Sequence, residues 1–221
     1  MKRVAALSFI FTCFVACLMA QQPQSPLPDL PADIPKDALI RMVLTDGTPS
    51  GQDVIWKSSD GTIHEFSQFN DRGRGPKIYT TYRLDPRGLV IAEVSQGVDY
   101  MKNPVEERFS IASGEAAWKN QAEDEKQANA AGKFYIDLNG GAESGAILAR
   151  ALLKNGGKLP VLPSGEAGIR KMQSVPVEDG SQKRTASLYE ITGLGFTPFD
   201  LWLDENQQFM ASISGWFAVV Q

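Results

Sequence analysis

Ile78-Tyr79-Thr80-Thr81-Tyr82-Arg83-Leu84, followed by Asp85-Pro86-Arg87-Gly88, reads as a strand and the turn that ends it. Ile78, Thr80, Tyr82 and Leu84 fall on one face at the two-residue period of β structure. β-branched and aromatic residues suit such a pleated surface, and Pro86 presets the first bend of the turn.

The same grammar extends in both directions. Toward the N-terminus, Ile63–Phe69, Val54–Lys57 and Ala38–Leu44 are β-prone runs separated by Ser59-Asp60-Gly61 and Asp46-Gly47. Toward the C-terminus come Leu89–Val94, Glu106–Ile111, Ala116–Lys119 and Phe134–Leu138, then Gly168–Ser174, Thr185–Thr192, Phe199–Leu203, Gln208–Ser214 and Trp216–Val220. Short strands punctuated by turn residues predict an antiparallel sheet. The acidic run Glu123-Asp124-Glu125 reads as a solvated hairpin tip.

One segment changes period. Ile147, Leu148, Ala151 and Leu152 recur at helical spacing within Ser144–Lys154, and Asn155-Gly156-Gly157 supplies a stop. The expected fold is therefore mainly β: a large curved antiparallel sheet packed on one main helix. By analogy of architecture it is a half-barrel of the kind found in periplasmic lipoprotein carriers.

The N-terminus reads as an export signal. Lys2 and Arg3 precede an apolar run from Val4 to Ala20, and Gln21-Gln22-Pro23 breaks it. Cleavage after Ala20 is one reading; the other treats Phe14-Val15-Ala16-Cys17 as a lipobox that leaves Cys17 as a lipidated N-terminus. The chain thus divides into a signal peptide (1–20), a Pro-rich tether (21–36) and a β-rich domain (37–221), exported to the periplasm or beyond, with membrane tethering if Cys17 is lipidated. Both cysteines, Cys13 and Cys17, lie in the signal segment, so the domain is expected to hold by its core alone. Removing the signal takes the formal charge from −4 to about −6. An acidic chain without a Lys/Arg cluster argues against nucleic acid as a partner.

The chemistry-bearing residues are few. His64 is the one histidine, too few for an H-x-H pair or for a typical zinc site. Neither a G-x-S-x-G elbow nor a P-loop is present. No cofactor, metal or catalytic residue is assigned. Carboxylates are plentiful, and the reading places them at turns. The distinctive string is Asn70-Asp71-Arg72-Gly73-Arg74-Gly75-Pro76. Arg72 and Arg74 between glycines suit a carboxylate or phosphate, while Asp71 pairing an arginine gives an ordinary loop. Trp202 and Trp216 are the further binding candidates, as core residues with a satisfied polar tip or as a ligand or partner surface.

Several strings together resemble the N-terminal region of exported bacterial metal-dependent amidohydrolases. They are FNDRGRGPKIYTTYRLDPRG (69–88), GVDYMKNPVEERFS (97–110), GEAAWKN (114–120), FYIDLNG (134–140), ILARALL (147–153) and LYEITGLGFTPFDLWLDENQQFMASISGW (188–216). In that family the region precedes a metal-binding (β/α)-barrel, and no residue of that barrel maps onto this chain, which ends at Gln221 where the family would run on. The resemblance implies a non-enzymatic accessory domain whose partner is an amidohydrolase catalytic domain. In that case Phe199, Trp202, Phe209, Trp216 and Phe217 are expected to contribute an exposed docking patch. The alternative is a stand-alone periplasmic carrier holding an apolar small molecule between sheet and helix.

Overall fold

The computed structural model describes residues 34–179 and 182–221. The signal segment, Cys13, Cys17 and most of the Pro-rich tether lie outside the described residues.

A meander of eight strands opens the chain: β1 (Leu39–Thr45), β2 (Thr48–Lys57), β3 (Ile63–Phe69), β4 (Lys77–Leu84), β5 (Val90–Val98), β6 (Pro104–Ala112), β7 (Glu115–Lys119) and β8 (Asp124–Gln127). Then come β9 (Phe134–Tyr135), the helix α1 (Ala142–Lys154), β10 (Lys158–Leu162), β11 (Glu166–Asp179), β12 (Gln182–Thr192), β13 (Phe199–Leu203), β14 (Phe209–Ser214) and β15 (Phe217–Val220). All fifteen strands form one sheet, in the order β8-β7-β6-β5-β4-β3-β2-β1-β15-β14-β13-β12-β11-β10-β9. Among the described residues it is a large, open, curved sheet with a single helix. Every pair is antiparallel except β9–β10, because α1 carries the chain back over the sheet between them.

The opening string becomes β4 and its turn. Asp85 Oδ1 accepts hydrogen bonds from Arg87 N at 2.8 Å and Leu89 N at 2.9 Å. Several boundaries differ from the sequence reading. β2 begins at Thr48, six residues before Val54. The strand expected over Phe134–Leu138 stops after Tyr135, because Leu138 and Asn139 turn their N–H groups onto Glu107. The acidic run is not simply a solvated tip: Glu123 takes a hydrogen bond from Trp118 Nε1 at 2.6 Å, and Asp124 and Glu125 belong to β8.

α1 lies against the concave face. Ile147, Leu148, Ala151 and Leu152 are buried, as are Ala146 and Ala149. They join Phe134, Leu159, Leu162, Ile191, Leu201, Leu203 and Phe209 in one apolar cluster. At the helix end the Asn155 N–H bonds back to Ala151 and Leu152, and Gly156 and Gly157 take the positive φ that ends the helix.

Candidate functional site

The Asn70–Pro76 loop is a tight hairpin. Asp71 and Arg74 exchange backbone hydrogen bonds of 2.8 and 3.0 Å, with Arg72 and Gly73 at positive φ between them. That is the mirror-image turn geometry that matches strand twist. The Asp71 carboxylate draws the loop's cations to itself: Arg74 Nη2 is 3.3 Å away and Arg72 Nε 3.6 Å. Tyr100 donates to it as well, and the Arg74 guanidinium lies 5.2 Å over the Tyr100 ring. Gly75 is required, since a Cβ there would stand 2.2 Å from the Phe69 carbonyl oxygen. Of the two arginines, Arg72 is the more exposed, 3.9 Å from Asp46.

Trp216 comes to the same rim. It sits in the β14–β15 turn, and its carbonyl accepts the Asp46 N–H at 2.7 Å. Arg72 and Trp216 therefore flank the β1–β2 turn. Trp202 does not join them. It lies half-buried on the convex face in a cross-strand row with Leu188 and Ala211. The other docking candidates divide. Phe209 is buried under Arg41, while Phe217 packs on Phe69 at 5.0 Å and Phe199 against the core.

The convex row through β1, β15 and β14 is apolar and open. Met42 pairs with Val220, and Val220 with Ala211; Leu44 pairs with Ala218, and Ala218 with Ile213. Ile40, Met42 and Ile213 are 62%, 48% and 59% exposed, and Trp216 at the adjoining turn is 48% exposed.

His64 lies on the convex face too, stacked on Trp56 at 4.9 Å between centroids. Nδ1 is 2.6 Å from the Tyr79 hydroxyl and Nε2 3.1 Å from Ser58 Oγ. The Ser58 hydroxyl donates a hydrogen bond to Asp60, 2.6 Å away, whose carboxyl is held down to about 2 by hydrogen bonds from Ser58 and Thr62. So weak a base does not make Ser58 a nucleophile. Burial lowers the His64 pKa.

The densest polar assembly is inside the sheet, at the N-terminal end of α1. Glu65, Thr80, Ser95 and Glu107 form a cross-strand row on the concave face, and all are buried. Beside it lie Arg41 and Asp53, paired at 3.1 Å, and Glu93, opposite Tyr82. The β9–α1 junction sits on these groups. Glu65 Oε1 accepts the Glu143 N–H at 2.7 Å, and Oε2 accepts the Tyr82 hydroxyl at 2.9 Å. Gly141 is needed for this approach, because a Cβ would lie 2.3 Å from Glu65 Oε1. Glu107 accepts from Tyr135 Oη (2.7 Å), Leu138 N (2.9 Å), Asn139 N (3.1 Å) and Asn139 Nδ2 (2.8 Å). Glu143 is clamped by Arg41, at 2.6 Å, and by Arg150. Ser144 caps Asp137 Oδ1 at 2.8 Å.

Six carboxyls thus crowd a space served by two guanidiniums. Burial, then the Asp53 charge, pushes Glu65 well above the carboxylate range. Burial, then Asp137 and Glu107, does the same to Glu93. Burial takes Asp137 up to about 7 and also raises Asp53 against the pull of Arg41. Burial works to raise Glu143 as well, but Arg150 and Arg41 together hold it low.

The expectation that carboxylates sit at turns is corrected here: Asp53, Glu65, Glu93 and Glu107 are mid-strand and Glu143 is in the helix. Parity within a strand is a partial signal at most: Glu107 lies two residues from buried Val105 and Phe109, while the place of Glu65 opposite Thr80 comes from the register. Among the described residues, no three His, Cys, Asp or Glu side chains are grouped to hold a metal ion.

No family model matches the chain, and no curated protein matches it. Among solved structures it is similar to a β-barrel-like protein of a domain of unknown function, DUF1849, from Brucella abortus. The identity is 11% and the TM-score 0.48, over 83% of this chain and 92% of that one. That likeness carries no argument about the site.

Proposed function

We propose that this chain is a non-catalytic interaction domain that docks through the convex face at the β1–β15–β14 seam, with an amidohydrolase catalytic domain as its partner. The supporting observation is the open apolar row of Ile40, Met42 and Ile213, continued by Trp216 at the rim. Exposed apolar side chains gathered on adjacent strands are what a docking surface needs. Arg72, beside Asp46 at the end of that row, adds a polar border, the arrangement of an interface rim. The partner class rests on the family resemblance, and export to the periplasm on the signal-like N-terminus.

The test is to mix the purified domain with a barrel of the exported amidohydrolase class and measure association by sedimentation. Ile213→Asp should weaken binding at least tenfold with the fold intact. Absence of any association by the unaltered protein would overturn the reading.

A carrier role retains one observation in its favour. A cleft of about 380 Å³ opens beside α1, lined by Leu84, Ile147 and Leu153 together with Arg150, Lys154 and Gln207. Such walls suit an amphiphilic anion better than a wholly apolar ligand. The rest of the helix stripe packs directly into the core. Native mass spectrometry that finds a stoichiometric lipid would reverse the order of the two readings.

A further inference from the structure

The interior carboxyls cannot all be charged at once. Glu65 is 1% exposed and Asp53 0%. The buried cation beside them, Arg41, is already committed to Asp53 and Glu143. Among the described residues, Arg150 pairs with Glu143 alone. Two carboxylates side by side in a dry interior, sharing one engaged cation, cost several kcal/mol or more. With both ionised, Asp53 Oδ1 is buried without a donor. Asp53 and Glu65 are diagonal neighbours on the concave face of β2 and β3, so a proton on one of them relieves both the repulsion and the missing donor. A proton on Glu65 gives Asp53 the donor it lacks, leaves the Asp53–Arg41 pair intact, and keeps Glu65 able to accept from Glu143 N and Tyr82.

What yields when that proton leaves is set by connectivity. Glu65 is mid-strand in β3, locked between β2 and β4. The groups above it are not so held. β9 has two paired residues, and the junction to α1 is pinned mainly by side chains: Glu107 to residues 138 and 139, Glu65 to the Glu143 N–H, Asp137 to Ser144, and Arg41 to Glu143. We propose that the seating of residues 136–145 on the concave face is a proton-operated latch, closed while Glu65 is protonated and loosened when Glu65 ionises beside Asp53. Opening admits water to the new charge.

The groups facing Glu65 from each neighbouring element are Arg41 (β1), Asp53 (β2), Tyr82 (β4), Glu93 (β5), Glu107 (β6), and Asp137, Glu143 and Arg150 of the junction and helix. Asp53, Glu93 and Asp137 are acids that burial also raises, and their ionisation works in the same direction. Glu143 is the exception, already ionised against two arginines.

Hydrogen–deuterium exchange on the exported protein between pH 5 and pH 9, corrected for intrinsic exchange, tests the latch. Protection of residues 136–145 should fall at least tenfold more than that of β4–β6 as pH rises across that range. Glu65→Gln keeps a donor toward Asp53 and an acceptor for Glu143 N, and it should hold that protection flat across the range. Glu93→Gln, which removes the acid facing Asp137 of the junction, should flatten it partly and serves if the first variant does not fold. Protection that does not depend on pH in the unaltered protein overturns the proposal. So does a Glu65→Gln protein that folds but has lost protection at pH 5.

Discussion

The two ends of α1 rest on different ground. The C-terminal half sets Ile147, Leu148, Ala151 and Leu152 into leucine, isoleucine and phenylalanine side chains. The N-terminal half sets Gly141, Glu143 and Ser144 onto carboxyls and guanidiniums. Apolar burial is non-directional and tolerates small shifts. A buried polar network is worth having only while every member is satisfied. One helix is therefore anchored by packing at one end and positioned by chemistry at the other, and the two anchors should respond differently to the same perturbations.

Removing the buried cation should be the most damaging change. Arg41→Met leaves Asp53 and Glu143 without their shared partner, and breaking a buried pair this way costs about 3–5 kcal/mol; denaturant unfolding at pH 7 measures it. The packed end should answer to volume alone. Leu152→Ala removes a fully buried side chain and should cost about 2–5 kcal/mol at any pH between 5 and 9. If its cost changes as steeply with pH as that of the polar end, the distinction between the ends fails. Glu107→Gln is a subtler probe. It keeps the shape but turns an amide toward groups that are themselves donors, which should cost about 1–3 kcal/mol.

Stability of the unaltered protein should itself lean toward mild acid. Glu65, Glu93 and Asp137 have raised folded-state pKa values, so the folded protein binds more protons than the unfolded chain. Their favourable contribution is full below about pH 4 and is lost as pH rises through the folded values, about 7 for Asp137. Glu143, held low, acts in the opposite sense, losing its contribution only in stronger acid. The urea midpoint should be higher at pH 5.5 than at pH 8, and the reverse order would mean that these acids are ionised in the fold. The smallest effect belongs to the surface: Ile213→Ser should change stability by about 0.5 kcal/mol or less.

The same contrast explains what the sequence disclosed. The helix was legible because Ile147, Leu148, Ala151 and Leu152 keep a 3.6-residue period, and nothing else in the chain competes with that pattern. Most strands were legible from alternation and turns. β10 was not, since Lys158-Leu159-Pro160-Val161-Leu162 follows directly on the helix stop and contains a proline. The polar end was illegible for a physical reason. A buried glutamate and a solvated one look alike in a strand, and only the strand register shows Glu65, Ser95 and Glu107 on one side of the sheet. The rim was half-legible: the loop carrying Asp71, Arg72 and Arg74 was singled out, but nothing local links it to Trp216 across the β1–β2 turn.

The β1–β15 pairing bears on how the chain reaches this state. The other antiparallel pairs join strands adjacent in sequence, so each can form as a local hairpin with little loop to close. β1 and β15 must meet from opposite ends of the domain, and that closure carries an entropy cost which grows with the logarithm of the intervening length. Sequence-distant contacts of this kind slow folding more than they change stability. Two meanders can thus take shape independently and be zipped together late. Until that happens β1 and β15 are bare edges, which makes this junction the one most exposed to pairing with another molecule during folding.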